Sequence, residues 1–174
     1  MVRLRVAPWA LTLVIGSVVL SACSGGDQND PNDEDATAAA SGDGEVPDAC
    51  DVLTQVQVSE AVGTDVGPGR GSSGPVATGG SQSTCEWFSV QHPADTAKLT
   101  IYSETAAADS IRDADPDVEQ LPGVGDDAFV GDFASVWVYQ GELSFMAQWY
   151  SMAAADEDSL PRSEALARLA ADRL

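Results

Sequence analysis

Residues 135–150, SVWVYQGELSFMAQWY, decide the fold because two runs of strand-favouring residues flank a single glycine. Valine, tryptophan, tyrosine and phenylalanine suit the half-buried surface of a sheet. With Gln140 and Gly141 as a two-residue turn, Val138 lies opposite Leu143. Opposite residues share a face, so this pairing predicts one continuous apolar face on the hairpin. That face comprises Val136, Val138, Leu143, Phe145, Ala147 and Trp149.

The second face of the hairpin carries Trp137, Tyr139, Ser144, Met146 and Tyr150. If helices cover the first face, these large side chains stay accessible, and grouped exposed aromatic residues often mark a binding surface. Cover by a further helix or loop is the alternative. The candidate binding surface is therefore Trp137, Tyr139, Met146 and Tyr150.

Helices are predicted on both sides of this hairpin. Thr54 followed by Gln57 forms a capping box at the start of a helix that Gly63 ends. Near the C-terminus, Pro161 suits the first turn of another helix. Its apolar stripe recurs at helical spacing and is formed by Leu166, Leu169, Ala170 and Leu174.

Shorter elements lie between the two helices. Alternating residues predict strands over 84–90 and 97–103, the alanine-rich residues 104–114 predict a short helix, and residues 128–130 a further strand. The seven glycines of residues 63–80 indicate a flexible surface loop, and the Gly-Lys-Ser/Thr ending of a phosphate-binding loop is absent. We therefore expect an α+β domain with an antiparallel sheet and both terminal helices packed on one face.

The N-terminal residues 1–22 have the features of an export signal. Arg3 and Arg5 precede an apolar stretch of about 15 residues, shorter than the ~20 that a membrane-spanning helix needs. The stretch ends in Leu20-Ser21-Ala22-Cys23, which resembles the bacterial lipobox. The resemblance implies a diacylglyceryl group on Cys23, cleavage before it, and attachment to the outer face of the cytoplasmic membrane. Because Leu4 separates Arg3 from Arg5, the twin-arginine pair is absent and we expect export by the general secretory route.

An acidic tether is predicted after Cys23. Residues 24–48 contain eight acidic residues, no basic residue and no aromatic residue, a composition that cannot offset the entropy of folding. The chain thus divides into a signal peptide (1–22), a lipidated cysteine with a disordered linker (23–48) and one domain (49–174).

Composition excludes several classes of function. The chain has 28 acidic and 8 basic residues, whereas binding of nucleic acid depends on lysine and arginine. One histidine and three scattered cysteines do not form a zinc motif. We expect no metal and no cofactor, and we interpret Asp126 and Asp127 as turn residues that lead into a strand, with catalysis or calcium binding as the alternative.

Cys50 and Cys85 would meet an oxidising compartment after export. A bond between them closes a loop of about 36 residues and contributes about 3.8 kcal/mol in the chain-entropy treatment. It would restrain the glycine-rich segment. Two free thiols are the alternative.

The pattern Cys50-Asp51-Val52-Leu53-Thr54, then Cys85-Glu86-Trp87, then residues 122–129, PGVGDDAF, resembles a family of small actinobacterial lipoproteins of unknown function. The resemblance covers most of residues 49–174. It implies a similar size, signal and cysteine pair, and it carries over no activity, cofactor or catalytic residue.

Two functions follow as hypotheses. The favoured one is a tethered, non-catalytic binding module at the cell envelope, with an unidentified envelope ligand or protein partner. The alternative is a cell-envelope hydrolase that uses acidic residues. His92, the one histidine, precedes Pro93 in a predicted loop and lacks a nucleophile motif beside it.

Overall fold

The computed structural model describes residues 46–77, 79–152 and 156–174, apart from the side chains of residues 156 and 157. Six strands form one sheet, in which all neighbours are antiparallel and the order is β1-β2-β3-β6-β5-β4. The strands are β1 (Arg70–Pro75), β2 (Ser81–Phe88), β3 (Thr96–Tyr102), β4 (Asp127–Val130), β5 (Val136–Gln140) and β6 (Leu143–Tyr150). Two three-stranded meanders thus join through β3 and β6, and the expected α+β class is confirmed.

In the described part of the chain, four α-helices accompany the sheet: α1 (Ala49–Val52), α2 (Gln55–Val62), α3 (Ala106–Ala114) and α4 (Asp156–Ala171). The predicted start of α2 is confirmed, because the Thr54 hydroxyl accepts from the Gln57 amide and the Gln57 side chain accepts from the Thr54 amide. Gly63 ends α2 with a φ of 68°, a left-handed conformation that glycine adopts without a Cβ penalty.

The main core lies between one face of the sheet, called here the inner face, and the helices α1, α2 and α4. Both terminal helices therefore pack on the same face, as predicted. The predicted apolar face of the hairpin is buried here, with Leu143 half-buried at its margin. Opposite it lie Val58, Val62, Leu166, Ala167 and Ala170.

The third helix packs on the other face of the sheet, called here the outer face. Ala108 of α3 is fully buried against Phe129 of β4 and Trp137 of β5. α3 contacts β5 and β6, so it covers the outer face at only one end of the sheet.

The hairpin turn lies one residue later than predicted. Gln140 pairs with Leu143, so Gly141 and Glu142 form the turn, and Val138 faces Phe145 instead of Leu143. Gly141 has a φ of 60° at the first central position, where a type II′ turn requires glycine. Because each partner moves by two residues, every side chain keeps its predicted face.

Two other expectations about local structure are wrong. α4 begins at Asp156, so Pro161 lies inside the helix and not in its first turn. The glycine-rich segment contains strand β1, which pairs with β2 from Arg70 opposite Glu86 to Pro75 opposite Ser81. At the domain's N-terminal side, Val46 already packs on the core and Asp48 caps α1 by accepting from the Cys50 amide.

Candidate functional site

The structure separates the four residues of the predicted binding surface. Trp137 is only 7% exposed, so its assignment to an accessible surface is wrong. Tyr139 and Met146 are half-buried beside it, in the cluster that α3 covers. Tyr150 is 44% exposed and lies at the other end of β6. The alternative of a further covering helix therefore applies to three of the four residues.

Arg112 and Tyr139 make the contacts that join α3 to the covered end of the outer face. The guanidinium of Arg112 on α3 lies 4.7 Å from the ring centres of both Phe129 and Tyr139, and 2.9 Å from a carboxylate oxygen of Asp127. The Tyr139 hydroxyl donates to Asp109 of α3 at 2.8 Å. Such cation–π and charge-assisted contacts hold α3 on the sheet.

The same contacts perturb the acidity of Tyr139. Burial, together with the hydrogen bond to Asp109, raises the pKa of Tyr139 to about 12, while the positive charge of Arg112 acts in the opposite direction. Burial also raises the pKa of Tyr102, whose ring stacks on Trp137 with centroids 5.7 Å apart. Both phenols stay neutral at physiological pH, which suits a structural role.

The remaining half of the outer face has no α-helix over it among the described residues; at its margin, the Gln148 side chain donates to the Phe133 carbonyl of a short 3₁₀ turn (Asp132–Ala134) at 3.0 Å. Cross-strand partners place its side chains in register: Arg70, Glu86, Lys98 and Gln148 form one row, and Phe88, Thr96 and Tyr150 the next. We call these seven residues the outer sheet surface. Val90, two residues beyond Phe88, is 64% exposed and extends the apolar part of this region.

Two positive charges lie on the outer sheet surface of a strongly acidic chain. Arg70 places its guanidinium 4.9 Å from the ring centre of Phe88, and Lys98 lies 3.8 Å from the Glu86 carboxylate. Both members of that ion pair remain more than one-third exposed, so water screens the pair and it contributes little to stability. The surface therefore combines exposed aromatic area with charges of both signs.

The predicted bond between Cys50 and Cys85 is present, with Cα atoms 5.0 Å apart. It joins α1 to β2 at the inner face, beside the start of β1. A Cβ at Gly69 would lie 2.6 Å from the Cys85 sulfur, so the chain entering β1 passes the disulfide only because residue 69 is glycine.

An acidic cleft of about 400 Å³ lies between α3 and the loop after β4. Apolar side chains line part of it, and its acidic residues are Asp115, Asp117, Glu119 and Asp132. Among the described residues, no group of three or more histidine, cysteine or acidic side chains is arranged to hold a metal ion. His92 is exposed in the loop between β2 and β3.

Sequence reasoning missed Arg70 as a surface residue because it stands in RGSSGP, a segment without β-branched or aromatic residues. Alternation along residues 84–90 sets Phe88 on the face opposite Cys85 and Trp87, but no local signal indicates that α3 leaves this part of the outer face open. The two-residue periodicity of β2 and β6 was the available signal for Phe88 and Tyr150.

The predicted signal peptide (1–22), Cys23 and residues 24–45 of the predicted linker lie outside the described residues. In the described part of the chain, no helix has the length and apolar character required to cross a bilayer. No protein-family model, curated protein or solved structure matches this chain. The resemblance to actinobacterial lipoproteins stays a prediction.

Proposed function

We propose that this protein is a lipid-anchored, non-catalytic interaction module that binds a polypeptide partner at the cell envelope through the outer sheet surface. The anchor is Cys23, at the outer face of the cytoplasmic membrane. Nucleic acid is not a partner in this proposal, because the chain has a formal charge of −20.

The half-covered outer face is the observation that carries the proposal. A helix covers Trp137 and its neighbours but leaves Phe88, Tyr150 and Arg70 within reach of a partner. Tyrosine and arginine are among the residues that contribute most to protein–protein binding, since they bury a large area and retain hydrogen-bonding capacity. Glu86 and Lys98 supply charges of both signs, which favours a partner with a matching charge pattern.

The tether fits this role. Two acyl chains on Cys23 would anchor the protein stably, whereas a single chain holds only marginally. The 22 residues between Cys23 and Val46, where packing on the core begins, would span roughly 26 Å as a flexible coil. The tether would let the domain reach partners near the membrane. Cys23→Ser should release the protein into the soluble fraction and leave the domain's melting temperature unchanged.

Site-specific photo-crosslinking in the exporting bacterium tests the binding surface. A photoreactive aromatic residue replaces Tyr150 in one variant and Val56 in the control. Val56 is 65% exposed on α2, on the opposite layer of the molecule. We expect a discrete crosslinked protein from position 150 and none from position 56. Crosslinks of equal yield at both positions, or none at position 150, would contradict the proposal.

The acidic cleft favours the hydrolase as a second candidate, because paired carboxylates can act as acid and base in glycoside cleavage. Exported protein is incubated with peptidoglycan, glycosides and esters, and Glu119→Gln and Asp132→Asn are compared with the parent. Turnover that a single one of these substitutions abolishes would establish the hydrolase. Absence of turnover with all three substrate classes would leave the binding module as the better proposal.

A further inference from the structure

The two edges of the sheet differ. On the β4 edge, Leu121 donates its amide to the Ala128 carbonyl and Val130 donates to the Glu119 carbonyl, both at 2.8 Å. Residues 119–121 thus cover that edge. Within the described ranges, no backbone hydrogen bond is made to the outward side of β1.

The hydrogen-bond pattern identifies which β1 groups are free. The Phe88 carbonyl accepts from Gly67 and the Val90 amide donates to Asp65, so even-numbered residues of β2 point towards the β1 side. In an antiparallel pair both backbone groups of a residue point the same way. Their partners Arg70, Ser72 and Gly74 therefore bond to β2. Gly71, Ser73 and Pro75 point outward, so their two N–H groups and three carbonyls have no backbone partner among the described residues.

Natural proteins usually protect such an edge, but β1 has little that would block it. Its residues Gly71, Ser72, Ser73 and Gly74 have small or absent side chains, and the strand is exposed along most of its length. Pro75 is tolerated because its missing N–H would face outward. An incoming strand would meet free backbone groups and little steric obstruction.

We propose that an extended peptide segment of another protein adds to β1 as a seventh strand. The inference rests on the proposed binding function and names the form of the ligand. Such addition draws affinity from main-chain hydrogen bonds and specificity from alternate side chains.

The charged residues on the two sides of β1 indicate which side chains the added peptide should carry. Arg70 lies on the outer face, so an acidic residue opposite it would be favoured. On the inner side, a pocket of about 230 Å³ is lined by Asp48, Gly71 and Ser73, together with Ser72 and Ser83. A Cβ at Gly71 would lie 4.0 Å from the Asp48 carboxylate, which favours a basic residue there. Since side chains alternate, the peptide's acidic and basic residues lie an odd number of positions apart.

The charge pattern also argues against occupants from this chain. Residues 24–48 contain no basic residue to place beside Asp48. A second copy would carry a large net charge of the same sign, since the chain has 28 acidic and 8 basic residues. A partner with mixed charges fits better, and the experiment distinguishes all three.

Hydrogen exchange at individual amides, followed by NMR on the exported protein in mild detergent, tests the added strand. The probes are two peptides of identical composition, TVTKEVTV and TVTKVETV. The first places lysine and glutamate on opposite faces, in the order that an antiparallel strand requires, and the second places them on one face. At about 1 mM, the first peptide should slow exchange of the Gly71 and Ser73 amides at least tenfold and leave Ser72 unchanged. The second peptide should protect them less.

Three results would overturn the inference: no protection by the first peptide, equal protection by both, or slow exchange of Gly71 and Ser73 before any peptide is added. In the last case the edge is already occupied, by a second copy if protection depends on protein concentration and by the chain's own tether if it does not. A crosslink at position 150 without edge protection would retain the binding module and remove only the added strand.

Substitutions at Ser73 provide a matched control. Ser73→Pro removes an outward N–H that β2 does not use, so it should abolish protection of Gly71 and keep the melting temperature of the parent. Ser73→Ala removes only the hydroxyl and should retain protection. Ser72→Pro removes an N–H that bonds to β2 and should destabilise the domain. Protection that persists in a folded Ser73→Pro variant contradicts the proposed strand.

Discussion

Removal of the disulfide should lower the stability of the domain by an amount that the closed loop determines. Cys50 and Cys85 are separated by 35 positions, and the corresponding loop constraint contributes about 3.8 kcal/mol. For a domain of about 130 residues, this corresponds to a decrease of about 14 °C in melting temperature. Alanine is the preferred replacement because Cys85 is fully buried, where a serine hydroxyl would add its own desolvation cost.

Thermal unfolding followed by circular dichroism measures the effect in the parent, Cys50→Ala, Cys85→Ala and the double variant. The double variant should be no less stable than Cys85→Ala, because both single changes remove the same bond. Addition of dithiothreitol should lower the melting temperature of the parent and leave that of Cys50→Ala unchanged. If the reductant leaves the parent unchanged while free thiols appear at positions 50 and 85, the attribution of stability to this bond is refuted.

Other substitutions separate structural from exposed positions. Trp137→Ala should cost about 3–5 kcal/mol in urea unfolding, because it empties the cluster beneath α3, whereas Tyr150→Ala should stay within about 0.5 kcal/mol. The fold stabilises the neutral phenol of Tyr139, so its contribution to the free energy of unfolding is complete below pH 10 and is lost as the pH rises from 10 towards 12. Tyr139→Phe should therefore reduce the loss of stability at alkaline pH. Phenolate absorbance should show one tyrosine fewer titrating near pH 12 in this variant. Gly125→Ala should destabilise the domain by more than about 1 kcal/mol, since the φ of Gly125 is 56° and a Cβ there would lie 2.7 Å from the Tyr139 carbonyl oxygen. Gly74→Ala is the control: its Cβ would meet no atom within 4 Å, so the change in unfolding free energy should be much smaller in the same assay.

Local signals in the sequence predicted the elements that local interactions form. The capping box of Thr54 and Gln57 depends on residues three positions apart, and the helix begins and ends where this motif and Gly63 require. The faces of the hairpin were also predictable, because a two-residue change in pairing leaves Val136 and Phe145 on the same side.

Non-local packing decided what the sequence did not show. The alanine-rich segment predicted α3, but its position on the outer face follows from how the chain crosses from β3 to β4. That placement buries Trp137 and brings Arg112 over the rings of Phe129 and Tyr139. No periodicity within residues 104–114 specifies which aromatic residues a helix will cover. The sequence therefore did not show that Trp137 would be buried while Tyr150 stays exposed.

The strand β1 shows why the edge was missed and why it can accept a partner. Neither serine nor glycine favours a strand by its side chain, so RGSSGP is extended because β2 supplies a ladder of hydrogen bonds on one side. A partner strand on the other side of β1 would add a second ladder of backbone hydrogen bonds, through the outward groups of Gly71 and Ser73. Bulky side chains at these positions would have made the strand easier to predict, and they would also have restricted the strands that can pair with it. The weak sequence signal and the accessible edge therefore have one cause, the small side chains between Arg70 and Pro75.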